Sequence, residues 1–188
     1  HAGEVAMPML LESAKGPLAL ITTIATFGTA LDVTLAELAL EAFLPADAAT
    51  IFAVVSSPAG HVNVDASGML QDYTGERATK LGDEFVIHMD RESLGDLPMG
   101  KYDVTVTMTG WEQDRFLTWE VSAPGFPSLG HYYGYRLEPN DDGTTTVTSI
   151  YDWSNLDENL KPHWPIVPLT ALKATLGILE RVVRQQSE

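Results

Sequence analysis

The sequence predicts an α+β fold in which one curved antiparallel sheet of seven strands wraps around a long C-terminal helix. Two observations predict it: the last stretch, Pro165 to Gln186, has the apolar spacing of a helix, and six strand-like runs with short links precede it. Short links imply antiparallel neighbours, because parallel strands need long crossover connections. A sheet of this size twists, so it can curl around a helix that needs a large surface to lie on.

Five apolar side chains define one face of the final helix. They recur at spacings of three and four residues, as a helix of 3.6 residues per turn requires: Leu169, Leu172, Leu176, Leu179 and Val183. Ala171, Ile178 and Val182 widen this face to roughly half of the cylinder, beyond the stripe of about 100° that a surface helix buries. Pro168 suits the first turn, since its missing N–H would have no helical partner.

Composition and charge restrict the classes of partner. The chain of 188 residues carries a net charge of −15, which argues against nucleic acid or an anionic membrane surface, since both reward Lys and Arg. The absence of cysteine excludes disulfides, Cys-ligated zinc and thiol catalysis. The His and carboxylate spacing gives no convincing set of three metal ligands. We therefore predict no metal, no cofactor and no stable membrane insertion, and we expect a cytoplasmic location.

The first 32 residues are predicted to form an N-terminal extension of uncertain structure, ahead of a domain at 33–188. Pro17 to Ala30 is the most apolar run of the chain, but its fourteen residues are too few to span a bilayer. We interpret this run as a buried helix or a strand pair. A signal-peptide core is the alternative, because Lys15 precedes the run and small residues follow it.

A strand and two helices are predicted to open the domain. Val33 to Leu44 alternates between an apolar face and a face that carries Glu37 and Glu41, as expected of a strand with one wet side. Asp47 can cap a helix from Ala48 to Val55. A second, short helix is expected before Met69.

Six further strands are predicted to form an antiparallel meander. They are Gly68 to Tyr73, Glu84 to Asp90, Tyr102 to Trp111, Phe116 to Val121, His131 to Leu137 and Thr144 to Trp153. Turn-forming residues separate them, as in the segments Leu97 to Gly100 and Pro139 to Gly143.

The order of these elements resembles the START-like helix-grip fold of the polyketide cyclase, lipid-transport and Bet v 1 superfamily. Leu44 to Pro58 resembles the opening strand and helix of that superfamily. Four other segments resemble a polyketide cyclase/dehydrase-like branch common in actinobacteria: Val62 to Met69, Leu81 to Phe85, Leu117 to Glu120 and Val147 to Ser154. The match covers about Val33 to Val183. It implies a helix gripped by a curved sheet, in a superfamily that spans carriers, receptors and enzymes.

Aromatic and polar side chains mix on three of the predicted strands. Three sets share a face: His131, Tyr133 and Tyr135; Ser149, Tyr151 and Trp153; Leu117, Trp119 and Val121. Ligand pockets are mostly apolar with a few placed polar groups, which such residues supply. The predicted ligand-binding residues are Trp119, Tyr133, Tyr135, Tyr151, Trp153, Leu172 and Leu176. These residues could equally fill the core, because alternation does not say which face is concave.

Four residues are candidates for acid–base chemistry: Asp152, Tyr151, His131 and Tyr133. If the Asp152 side chain points into a cavity, burial would raise its pKa and suit it to proton transfer. If it points outward, capping or pairing with Arg115 or Arg136 is expected instead.

Two further pairs of a histidine and a carboxylate have alternative interpretations. His88 and Asp90 share a strand face, so they could bind a metal or pair as acid and base, or form a solvated pair. His61 and Asp65 could line a cavity mouth or stabilise a loop by hydrogen bonding.

Three functions fit these features. The first is a carrier or sensor that holds an apolar, polyketide- or lipid-like small molecule between sheet and helix. The second is an enzyme resembling polyketide aromatase/cyclases or dehydratases, in which a pocket Tyr, His or Asp assists proton transfer. The third is a structural or partner-binding domain with a filled core. Leu94 to Met99 and Ala123 to Leu129 are loops that could gate a pocket mouth.

Overall fold

One seven-stranded sheet and three α-helices make up the main body of the protein. The structure, a computed structural model, describes residues 6–13, 16–23, 37–92, 94–95 and 99–186. Its strands are β1 (Ala6–Ser13), β2 (Gly16–Thr23), β3 (Glu37–Leu44), β4 (Leu70–Thr74), β5 (Glu84–Asp90), β6 (Lys101–Glu112), β7 (Phe116–Ser122), β8 (Tyr132–Pro139) and β9 (Thr145–Asp152). Its helices are α1 (Ala48–Val55), α2 (Pro58–Val64), a 3-10 turn (Lys161–His163) and α3 (Leu169–Gln186).

The large sheet has the strand order β3-β9-β8-β7-β6-β5-β4, and every neighbouring pair is antiparallel. β4 to β9 therefore form the predicted meander, and β3 closes the order by pairing with the last strand. A bulge between Met108 and Gly110 interrupts the pairing of β6 with β7 and increases the local bend. A Cβ atom on Gly110 would lie 2.4 Å from the Thr118 hydroxyl oxygen, so this close approach needs glycine. The predicted seven-stranded α+β architecture is confirmed.

Side-chain caps fix the starts of the two short helices. Asp47 accepts hydrogen bonds from the Thr50 backbone N–H at 2.9 Å and from its hydroxyl at 3.0 Å, as predicted from the sequence. Ser57 caps α2 by accepting from the Gly60 N–H at 2.9 Å. The second helix lies where it was expected, between α1 and Met69.

The final helix begins later than the apolar run in the sequence. Its first helical residue is Leu169, and the Pro168 carbonyl accepts from the N–H groups of Ala171 and Leu172. Proline thus lies just before the first turn, and 165–168 is not helical. Four residues of the predicted stripe are buried: Leu172, Leu176, Leu179 and Val183. None of the helices in the described ranges combines the length and apolarity needed to cross a membrane.

The N-terminal strands pair with each other. β1 and β2 form a two-stranded antiparallel sheet in which Met9 lies opposite Leu20. Residues 17–23 of the apolar run are therefore strand, and their partner is β1, which precedes the run. Residues 24–30 and the first four residues of the predicted strand Val33 to Leu44 lie outside the described residues. The boundary at residue 33 stays a prediction.

Candidate functional site

A cavity of about 530 Å³ lies between the sheet, α2 and the first turns of α3. This volume is within the range of small-molecule sites, roughly 300–1,000 Å³. Its sheet wall is formed largely by apolar side chains of β5, β6 and β7, such as Ile87, Val104 and Val121. Ala171, Leu172 and Thr175 of α3 complete the opposite wall. The arrangement suits an apolar guest with few polar groups.

Five of the predicted ligand-binding and acid–base residues line this cavity. They are Trp119, His131, Tyr133, Tyr135 and Leu172. The aromatic faces of β7 and β8 are therefore concave. The strand register explains why they meet, since Trp119 lies opposite Tyr133, and Tyr133 lies opposite Tyr151 on β9.

Three of the predicted ligand-binding residues lie behind the cavity wall. Tyr151 stacks on Tyr133, with ring centroids 4.3 Å apart and ring planes 13° from parallel. Trp153 packs against Tyr151 at 4.9 Å. Leu176 belongs to the hydrophobic core. All three are buried, but none lines the cavity, because neighbouring side chains cover them.

Asp152 lies on the outer face of the sheet. Its carboxylate accepts from the Tyr132 hydroxyl at 3.1 Å and from the Ser154 N–H and hydroxyl, both at 2.7 Å. The alternative of a capping role is thus the one observed. Asp152 does not pair with Arg115 or Arg136. The Arg115 Nε lies 4.0 Å from the Glu112 carboxylate, and the Arg136 guanidinium lies over the Phe116 ring. The structure does not bring Asp152 to the cavity.

The three tyrosines of the inner face are held neutral. Burial, followed by the proximity of Tyr151, raises the pKa of Tyr133 well above its usual value. Burial also raises the pKa of Tyr135 and of Tyr151. The Tyr133 hydroxyl, the Ile166 N–H and the Trp164 indole lie near the Tyr151 oxygen and oppose the rise in the pKa of Tyr151. Each phenol is therefore a hydrogen-bond donor at neutral pH.

His131 is the most unusual polar residue of the cavity wall. Only 2% of its surface is exposed, and neither ring nitrogen has a hydrogen-bond partner among the described residues. Burial lowers its pKa, against an opposing effect of the negative charge on Glu120. Its ring contacts Tyr133 at 5.6 Å, Tyr151 at 6.0 Å and Trp164 at 5.4 Å between centroids. The imidazole is therefore neutral at pH 7, and its hydrogen-bonding capacity is unused.

Other buried polar atoms without an aligned partner belong to aromatic side chains packed against His131 or Tyr151. The Tyr151 hydroxyl and the indole nitrogens of Trp153 and Trp164 are also buried without an aligned partner in the described parts of the chain. We call His131, Tyr151, Trp153 and Trp164 the unpaired cluster. Sequence reasoning missed Trp164, because it lies in the irregular segment before α3, where no periodicity assigns a side chain to a face.

The pair His61 and Asp65 fits both interpretations made from the sequence. The His61 Nε2 donates to the Val55 carbonyl at 2.9 Å, and Asp65 accepts from the N–H groups of Ser67 and Leu70. Both residues also line the cavity. The His61 ring lies 4.6 Å from that of Trp119, and burial lowers its pKa to about 4.

His88 and Asp90 do not pair. The His88 Nδ1 lies 2.7 Å from the carboxylate of Asp103, its register partner on β6, and the Nε2 lies 2.8 Å from the Thr74 hydroxyl. Asp90 accepts instead from the Glu92 N–H at 2.8 Å. Across the residues the structure describes, no three His, Asp or Glu side chains are grouped as metal ligands.

Exposed apolar side chains surround the cavity opening. Both predicted gating loops contribute lining residues, Met99 from one, and Ala123, Phe126 and Leu129 from the other. Phe126 is 71% exposed. Backbone hydrogen bonds between Ala123 and Phe126, at 2.9 and 2.8 Å, hold this turn beside the cavity.

Solved structures share the architecture. Protein NE0264 from Nitrosomonas europaea has a TM-score of 0.61 at 16% identity, covering 84% of this chain and 99% of that chain. The AHSA1-like protein from Aeromonas hydrophila has a TM-score of 0.54 at 15% identity, over 80% and 94%. Truncated norcoclaurine synthase from Thalictrum flavum has a TM-score of 0.55 at 15% identity, over 78% and 92%. No protein-family model matches the chain, and no curated protein sequence does. Identities this low show a shared fold, so the chain has the helix-grip fold that the sequence resemblance implied.

Proposed function

We propose that this chain binds an apolar, polyketide- or lipid-like small molecule in the cavity, as a carrier or sensor. The observation that supports it is the cavity of about 530 Å³ with a mostly apolar wall and a few placed polar groups. Trp119, Tyr133 and Tyr135 supply aromatic contact area there. As expected from the sequence, we also propose that the chain belongs to the START-like superfamily and to its actinobacterial branch. We further propose a cytoplasmic location.

A second candidate is an enzyme resembling polyketide aromatase/cyclases or dehydratases. It is favoured by His131, a neutral imidazole with unused nitrogens beside the Tyr133 ring. The pKa values weigh against it. An effective acid or base has a pKa near the operating pH, whereas burial raises that of Tyr133 and lowers that of His131. Asp152 has no place in such a mechanism, because it faces away from the cavity. Binding is therefore the better-supported function.

The third candidate, a structural domain with a filled core, predicts a solid interior. A cavity bordered by Trp119, Tyr133 and Leu172 argues against it. Burying these side chains around empty space would forfeit packing contacts, which a guest restores.

Titration with N-phenyl-1-naphthylamine, a neutral apolar fluorophore, tests the proposal. We expect saturable binding near one per chain, with quenching of tryptophan emission. Trp119→Ala should weaken binding by about 1–3 kcal/mol, the contribution of a large buried aromatic contact. Trp111→Ala is the matched control, because Trp111 packs against Phe52 and does not line the cavity. Circular dichroism checks that both variants fold. If no member of a broad apolar panel binds saturably, the proposal is wrong.

Variants of two neighbouring tyrosines distinguish a carrier from an enzyme. Tyr133 lines the cavity, while Tyr132 faces the opposite side of β8 and donates to Asp152. In a carrier, Tyr133→Phe should change ligand affinity by about 0.5–1.5 kcal/mol, the contribution of one hydrogen bond. In a cyclase it should cut turnover of a poly-carbonyl substrate about a hundredfold with binding nearly intact. Tyr132→Phe should change neither quantity.

A further inference from the structure

His131 is placed to contact a guest of the cavity. It lies directly before the first residue of β8, and its side chain is part of the cavity wall. Its two ring nitrogens lack partners among the described residues, although nearly the whole side chain is buried. An unpaired buried polar group destabilises the folded protein, so a guest that hydrogen-bonds to it removes a penalty already present.

Two hydrogen-bond donors meet in this part of the cavity wall. Of the unpaired cluster, only His131 lines the cavity, and its neutral ring carries one N–H. Tyr133, which stands between Tyr151 and the cavity, adds a neutral O–H. A group that only accepts, and that offers two lone pairs, complements these two donors.

We propose that the guest carries a neutral carbonyl oxygen, a ketone or ester group at one end of an apolar body, and that this oxygen hydrogen-bonds to His131. This inference rests on the proposed function, since it names the chemical class of the molecule in the same cavity. The hydrogen bond orients the guest, with its carbonyl at the start of β8 and its apolar part along the walls formed by β5 and β6.

A carboxylate guest fits this position less well. The donors around it are neutral, and the negative charge of Glu120 already acts on His131. Burying a carboxylate without a cation is far more costly than burying a carbonyl. Arg91 also lines the cavity, at the end of β5, so an acidic guest would have to place its charge there instead.

Three probes with one ring system test the inference: dimethylaminonaphthalene bearing a propionyl ketone (prodan), the same ring bearing propyl, and the same ring bearing a carboxylate. Dissociation constants are measured for wild type, His131→Leu, His131→Gln and Tyr132→Phe. The ratio of the propyl constant to the ketone constant isolates the carbonyl contribution. We expect this ratio to fall about two- to tenfold in His131→Leu, as the loss of one hydrogen bond predicts. It should recover in His131→Gln, which keeps a donor, and stay unchanged in Tyr132→Phe.

An unchanged ratio in His131→Leu, or tighter binding of the carboxylate than of the ketone by wild type, overturns the inference while leaving the cavity-binding function standing. If neither the ketone nor the propyl probe binds saturably, the inference and the proposed cavity-binding function are both wrong. Nitrogen NMR of the His131 ring in the wild-type chain provides a second readout that does not need a folded variant. The ketone should shift the ring resonances and the propyl probe should not, and equal shifts from both would contradict the proposed contact.

Discussion

Acidification below pH 6.5 should destabilise this protein through His61. The pKa of this imidazole is lowered from 6.5 to about 4 by burial, against which its hydrogen bond to the Val55 carbonyl acts. Between these two values the unfolded chain binds a proton that the folded chain excludes. The contribution of His61 to the free energy of unfolding is therefore fully present above pH 6.5 and falls as the pH drops toward 4. A difference of 2.5 pH units, at 1.36 kcal/mol per unit, corresponds to about 3 kcal/mol.

Urea unfolding of wild type and His61→Gln at half-unit steps from pH 7.5 to 4 measures this loss. Glutamine keeps an N–H for the Val55 carbonyl but does not titrate. We expect wild type to lose about 3 kcal/mol more than the variant across the window. His163→Gln, at an exposed histidine, controls for the loss of a histidine as such. Curves for wild type and His61→Gln that run parallel within about 0.5 kcal/mol would refute the reasoning.

Titratable groups other than His61 are common to wild type and His61→Gln. Hydrogen bonds from threonines lower the pKa values of Asp47, Asp83 and Asp142 below 3.8, so their contribution is lost only at lower pH. Burial lowers the pKa of His131 as well, but that residue is common to both chains and its effect cancels in the difference.

Two further predictions concern the final helix and metal content. Leu176→Asp should lower the free energy of unfolding in urea by at least about 3 kcal/mol, because it removes a core side chain and buries an unpaired carboxylate. Lys173→Asp, on the exposed face of the same helix, should change it far less, and equal losses would contradict the placement of α3. We also expect elemental analysis of protein purified without added ions to find no stoichiometric metal, and chelation to leave the melting temperature unchanged. Bound metal whose removal lowers that temperature would overturn this expectation.

Most elements could be predicted because their signals are local. Alternation placed the meander strands within two residues of their observed ends, and Glu84–Asp90 matched at both ends. The 3.6-residue period located α3, and the acceptor chemistry of Asp47 located α1. These signals depend on the backbone conformation of consecutive residues, which the sequence specifies directly.

The site could be predicted only in part. Whether an inward-facing side chain lines the cavity depends on whether another side chain covers it. Alternation placed Tyr133 and Tyr151 on faces that proved to be the same inner face, yet one ring lies over the other. Spacing along the strand indicated Asp90, two residues on, as a neighbour of His88 on the same face. Its partner is Asp103, which only the register with β6 brings opposite. Trp164 had no periodic signal at all.

The apolar face of α3 packs against the core along one part of its length and borders the cavity along another. Near its start, Ala171, Leu172 and Thr175 line the cavity. Toward its end the stripe becomes fully enclosed, from 8% exposure at Leu172 to 0% at Leu179. The second half therefore anchors the helix in the core, while the first half borders space that a guest can fill. Because the anchor does not depend on the guest, a change in the first half can alter what the cavity binds at little cost to the fold.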